Sequence, residues 1–174
     1  MLLNLLQKQR TDKFALWRLN KIIHLLPKSQ LSIGLTVEGE KAKQYLLFAY
    51  AEGIRCFLYS NLVGAELSFL QLPQIVLTGA NLSNVDFWAT NLAGADLRYA
   101  DLRGAELMSA NLTDANLTGA NLSGASLMGT NLTGAILCNA CLRDSNLSGT
   151  KLQNAELTNA DFQGTITNNT HHDY

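Results

Sequence analysis

From Phe57 onward every fifth residue is Leu or Phe, in 22 consecutive positions that end at Phe162. Two places before the central residue lies a small one. It is Ala at 13 of the 20 sites from 65 to 160, and Thr or Ser at Thr90, Thr130, Ser145 and Thr150. Asn or Asp often stands just before the Leu, and Gly recurs two places after it, as at Gly64, Gly79, Gly104 and Gly119. A period of five fits neither a helix at about 3.6 nor a flat strand at 2. It suits a chain that turns a corner every five residues. The Leu and the small residue share the inner side, and the next two residues make the turn. Gly second in that pair supplies the positive φ of a type II turn. Pro73 stands first in its pair, where its fixed φ suits the same corner.

At these residues, with Ala80-Asn81-Leu82, Ala100-Asp101-Leu102 and Ala120-Asn121-Leu122 as clear copies, the sequence resembles the pentapeptide-repeat family and its A(D/N)Lxx motif. The resemblance covers about 57–164. The stretch Tyr50–Phe57 also looks like the helical lead-in of cyanobacterial members. The resemblance implies a right-handed quadrilateral parallel β-helix, a mainly β solenoid with four pentapeptides per coil. The 22 units then make about 5.5 coils. Leu70, Ile75 and Val76 depart from the motif, so a wider or distorted first coil is expected there.

In that architecture Phe57, Leu62, Leu67, Phe87, Leu107, Leu127 and Phe162 belong to the core column, and residues 20 apart stack. Asn91, Asn111 and Asn131 form one polar stack. A filled bore leaves no internal pocket. The repeats contain no His, because the three are His24, His171 and His172. Their carboxylates are scattered, so no metal set or catalytic triad can assemble. No enzyme activity, metal or cofactor is expected, and His171-His172 reads as solvated tail.

Outside the bore, one column reads Glu66, Asp86, Glu106, and its neighbour reads Trp88, Met108, Met128. Stacked acids repel one another, and stacked large apolar groups expose surface that a lone rod need not expose. This is either drift of a free surface or a candidate partner face; Met and Trp favour protein contact. Cys138 and Cys141 flank one corner. They read either as a disulfide bracing the turn or as two free thiols. A zinc site lacks its second pair, since Cys56 lies far along the rod.

Residues 1–56 form a non-repeating N-terminal extension. An amphipathic helix is predicted over about 12–26, capped by Thr11 and ended by Pro27. Its apolar face is Ala15, Leu16, Leu19, Ile22, Ile23 and Leu26, with Lys13, Arg18 and Lys21 elsewhere, and it reads either as packing on this protein's own rod or as binding a membrane surface or partner groove. A short strand follows at 31–37, and a capping helix at about 40–52 stopped by Gly53. A polar tail runs over 165–174. Residues 1–28 carry a net charge of +5, and residues 55–164 a net of −4. The whole chain is −1, which argues against direct nucleic-acid binding. There is no secretory signal and no apolar run long enough for a membrane span, so a cytoplasmic location is expected.

The leading functional expectation is a non-enzymatic protein–protein interaction or scaffold module of unknown partner, binding through the outer faces of the rod. Two alternatives stand beside it. Some family members mimic B-DNA and inhibit or protect DNA gyrase, which calls for a strongly acidic rod, usually dimerised. The Glu66/Asp86/Glu106 column fits this in part, and the polar tail offers no dimer seam, so a monomer is favoured. The third reading is a peripheral membrane adaptor that uses residues 1–28 on an anionic surface.

Overall fold

A computed structural model describes residues 40–170. The helix predicted at 12–26, the strand at 31–37 and His171-His172 lie outside them. One helix, α1, spans Glu40–Ala51. It ends where Gly53 adopts φ 88°. There the Gly53 N–H donates to Tyr50 O (3.0 Å) and the Ile54 N–H to Ala49 O (3.0 Å). This is a Schellman end, in which a left-handed glycine lets the last carbonyls find donors. Ala42, Leu46, Ala49 and Ile54 are fully buried, and Tyr45, Phe48 and Tyr50 pack against the core. The exposed core of the first coil is thereby covered.

The helix is tied to the coils by one cluster. Tyr50 Oη donates to Pro73 O (2.8 Å). The Arg55 guanidinium lies 3.7 Å above the Tyr50 ring and donates to Tyr50 O (2.7 Å). Burial raises the Tyr50 phenol pKa, and the Arg55 charge opposes that rise.

Beyond Ile54 the chain forms a parallel β-helix. Each outward residue just before a central Leu or Phe pairs in parallel with the residue 20 places on, from Cys56↔Val76 to Asn146↔Ile166. One coil is therefore 20 residues, made of four five-residue sides. The rungs alternate: Phe57 N–H donates to Val76 O (2.8 Å), and Val76 N–H donates back to Arg55 O (2.7 Å). Each corner takes two residues, and many are closed by a bond such as Ala65 N–H to Leu62 O (3.0 Å).

Inside, Phe57, Leu62, Leu67, Phe87, Leu107 and Leu127 are fully buried, with Ala65, Ala105 and Ala125 beside them. Thr90, Thr130 and Thr150 replace Ala without orphaning their hydroxyls. Each donates to the carbonyl of Leu67, Leu107 or Leu127 in the coil before it, at 2.6–2.7 Å. A buried hydroxyl is tolerated when it is bonded.

The structure corrects the sequence reading in several places. Phe162 is only half-buried, as are Leu157 and Ala160. No further coil among the described residues covers them, so the bore opens at this end. The coil also does not stop at 164. Ile166 still bridges Asn146, Asn168 O accepts from Gly149 N–H (2.8 Å), and Asn169 keeps φ 54°. Backbone pairing thus carries one more side through a sequence that lacks the central Leu. The first coil keeps its register, with Gln71 and Val76 on their expected partners. Its departure is local: the corner bond from Ile75 N–H to Leu72 O is stretched to 3.4 Å.

The polar stack is likewise partial. Asn111 Nδ2 donates to Asn91 Oδ1 (3.2 Å), and Asn91 Nδ2 to Gln71 Oε1 (2.9 Å). The commoner task of these residues is local. Asn111 Oδ1 accepts from Thr113 N–H (3.1 Å) and Thr113 Oγ1 (2.6 Å). The same Asx turn recurs at Asn81, Asp86, Asn116, Asn121, Asn131 and Asn146. A short polar side chain that bonds its own backbone two residues on pre-forms the corner.

Candidate partner-binding face

Four corners and four sides give the rod its outer columns. Glu66, Asp86 and Glu106 pair consecutively along one side. Asp86 Oδ1 accepts from the Trp88 N–H (2.8 Å), which ties the acidic column to the next corner. That corner carries Trp88, 45% exposed, Met128, 42% exposed, and Met108, half-buried between them in sequence. The structure adds Phe69, 62% exposed, at the same corner. Its ring centroid lies 4.8 Å from that of Trp88, with planes tilted by 58°. Such tilted aromatic pairs attract beyond simple area burial.

Sequence reasoning missed Phe69 because the second corner position was read as a glycine site. The signal was present: Tyr59, Phe69 and Tyr99 stand where Gly is usual. All three keep the left-handed backbone, at φ 53°, 61° and 57°. Tyr59 and Tyr99 stand two coils apart on the diagonal corner. Each ring lies over the glycine one coil further on, and a Cβ built on Gly79 would lie 2.6 Å from the Tyr59 ring.

Charge is distributed unevenly among the acids. Arg98 and Arg103 grip Asp96 and Asp101 in two-point pairs, closest at 2.6 and 2.7 Å, and Arg143 Nε meets Asp161 at 2.7 Å. The Arg103 hydrogen bond holds the Asp101 carboxyl below its ordinary pKa against partial burial. At Asp96 burial is the largest single influence and pushes upward, but the hydrogen bonds from Arg98 and Thr78 and the Arg98 charge together outweigh it and the pKa falls. Glu66, Asp86 and Glu106 have no ion pair among the described residues.

Cys138 and Cys141 are both free thiols, not a disulfide. They face opposite coils: Cys141 Sγ lies 3.1 Å from Ser123 Oγ, and Cys138 Sγ 3.8 Å from Glu156 Oε2. Cys56 is free as well. No group of three or more His, Cys, Asp or Glu able to hold a metal occurs among the described residues. No helix among them is long and apolar enough to cross a membrane.

The family model of pentapeptide repeats matches in eight copies, over segments that run from 60–98 to 140–166. No curated protein matches the chain. Among solved structures, QnrB1, a plasmid-mediated fluoroquinolone resistance protein, aligns with TM-score 0.54 at 21% identity, over 70% of this chain and 67% of its own. That likeness bears on the fold alone. The pentapeptide repeat protein Rfr23 from the cyanobacterium Cyanothece aligns at 29% identity and TM-score 0.47, over 65% of this chain and 91% of its own. HetL, involved in heterocyst differentiation regulation in the cyanobacterium Nostoc, aligns at 25% identity and TM-score 0.29, over 74% and 93%. With its unbroken five-residue period, its 20-residue coil and the family model over most of the coils, the chain belongs to the pentapeptide-repeat family of right-handed β-helix solenoids.

Proposed function

We propose that this chain is a non-enzymatic interaction module, a four-sided rod capped by α1, that binds a protein partner through one corner and the side next to it. The carrying observation is the exposed apolar column of Phe69, Trp88 and Met128, bordered by the acids Glu66, Asp86 and Glu106, which have no ion pair among the described residues. Aromatic and Met groups supply large contact area at a protein interface, while a charged border sets orientation and approach. DNA mimicry is less well supported. Among the described residues Arg98, Arg103 and Arg143 pair with Asp96, Asp101 and Asp161, so the acidic column of Glu66, Asp86 and Glu106 does not extend into a surface acidic on every side.

The test is affinity capture from native extract with quantitative mass spectrometry. Wild-type bait is compared with a Trp88→Ser/Met108→Ser/Met128→Ser variant whose fold is checked by circular dichroism. A protein enriched by wild type falls at least about tenfold with the variant, because each truncated anchor removes on the order of 1–2 kcal/mol. Equal capture by both baits rejects this face.

A further inference from the structure

Each of the first three coils offers the same two groups on one corner: an acid and, two or three residues on, a large apolar side chain. They are Glu66 with Phe69, Asp86 with Trp88 and Glu106 with Met108, and Met128 continues the apolar row. We propose that this face takes a basic amphipathic helix of a partner protein, laid lengthwise on the rod with one helical turn per coil. The apolar stripe of that helix covers Phe69, Trp88, Met108 and Met128. Its cations stand along one flank, over Glu66, Asp86 and Glu106. The inference rests on this corner being a protein-binding face and states the chemistry of what it binds.

Charge, border and spacing carry it. Glu66 and Glu106 are exposed and Asp86 is half-buried. None of the three has an ion pair among the described residues, whereas Asp96, Asp101 and Asp161 each have an arginine. Such acids beside exposed apolar groups are complementary to a partner that is both basic and apolar. The border on the other side of the corner is neutral. It consists of Gln71, Asn91 and Asn111, whose amides bond to one another from coil to coil. The complementary cations therefore belong on one flank of the partner only. Spacing then selects a helix. Stacked coils rise about 4.8 Å each, so the acids from Glu66 to Glu106 span about 9.6 Å. Two turns of α-helix rise about 10.8 Å, a mismatch of about 1 Å that flexible lysines absorb. Residues on one face of an extended strand stand about 6.7 Å apart, so two steps give about 13.4 Å and miss the third acid by most of a coil. The apolar row from Phe69 to Met128 climbs three coils, about 14 Å, and about ten residues of helix cover it.

Synthetic peptides of about 18 residues, long enough to hold a helix, make the test. The probe carries Leu on one helical face, Lys along one flank and Ala elsewhere. One control has the same composition with Leu and Lys in alternation, and a second has Glu in place of each Lys. Each peptide is dye-labelled, and its anisotropy is followed as the full chain is added. The helical Lys probe is expected to bind at least about tenfold more tightly than either control. In the Glu66→Gln/Asp86→Asn/Glu106→Gln variant the amide at position 86 can still accept from the Trp88 N–H, so the corner is kept. That variant should weaken the probe at least about fivefold at low salt, and the loss should shrink as salt screens exposed pairs. The Trp88→Ser/Met108→Ser/Met128→Ser variant should weaken it at any salt. Circular dichroism confirms the coils of both variants. A helical probe that binds no more tightly than either control, or that either variant leaves unmoved, overturns the proposal. So does a probe that does not bind at all. In each of these cases capture lost with the triple-serine bait would still stand, and the corner would bind a protein of different chemistry. Equal capture by both baits rejects the corner itself, so the two readings fail separately.

Discussion

A single backbone conformation governs the corners of this rod. The second corner position has positive φ from Tyr59 to Asn169 without exception, whether or not it is Gly. Non-glycine residues pay about 1–2 kcal/mol for that conformation, less for Asn and Asp. Ladder bonds on both sides of each corner impose it. Gly79 and Gly124 separate strain from contact. Both have φ near +65°, but a Cβ at Gly124 meets nothing within 4 Å, whereas one at Gly79 strikes the Tyr59 ring. Gly124→Ala is expected to cost about 1 kcal/mol in urea unfolding, from backbone strain alone. Gly79→Ala should cost a further ~0.5–1 kcal/mol as the ring is displaced. In a Tyr59→Ala background that excess should vanish; if it persists, the ring is not its cause. The corner was legible in the sequence because Gly and Pro mark it, and Phe69 was hidden because an aromatic there breaks the local preference.

At the scale of one side and its corner, the Asx turn explains why Asn or Asp precedes Leu. The carboxamide or carboxylate oxygen serves the corner equally well, so Asp101→Asn keeps the turn and removes only the pair with Arg103. The Asp101 pKa lies below its usual 3.8 in the folded chain. A depressed folded value means that the pair stabilises above the unfolded value and stops doing so as pH falls through the folded one. The stability difference between wild type and Asp101→Asn should therefore be small and constant at neutral pH. It should shrink below pH 3.8 as Asp101 protonates. It stays small because Arg103 is well exposed and water screens the pair. A difference that grew on acidification would contradict the assignment. The buried hydroxyls give a second prediction at this scale. Thr130→Val should lose about 1 kcal/mol, and Thr130→Ala, which restores the commonest residue of its column, should lose less. The Asx turns and Thr bonds were not legible, because spacing shows which residues recur and not which backbone atom each one meets.

Across the whole molecule the two ends differ, and the difference predicts where the rod opens first. The five-residue period and the inner columns followed from the sequence because every fifth residue obeys one rule, and the coil of four units from the resemblance to the pentapeptide-repeat family. The helix over the first coil and its Gly53 stop were legible as well, but the last coil was not, since its pairing continues past the final central Phe. At the first coil α1 buries Leu46, Ala49 and Ile54 against the bore, and Tyr50 anchors it on Pro73 O. At the last, Leu157 and Phe162 are half-buried and Ile166 is 49% exposed. In a solenoid each coil is stabilised by its neighbours, so a coil with one covered face opens more cheaply than one with two. Leu107→Ala in the middle should cost about 2–5 kcal/mol, as for other buried Leu, and Leu157→Ala about half as much or less. Native-state hydrogen exchange should show amides of 95–135 opening only with the whole chain and those of 152–170 opening locally at lower free energy. Tyr50→Phe, which breaks the bond to Pro73 O, should speed exchange in the first coil while leaving 152–170 unchanged. Equal protection at both ends of the wild type would mean that residues 171–174 or a second molecule cover the last coil, and that the opening of the bore at Phe162 is closed in solution.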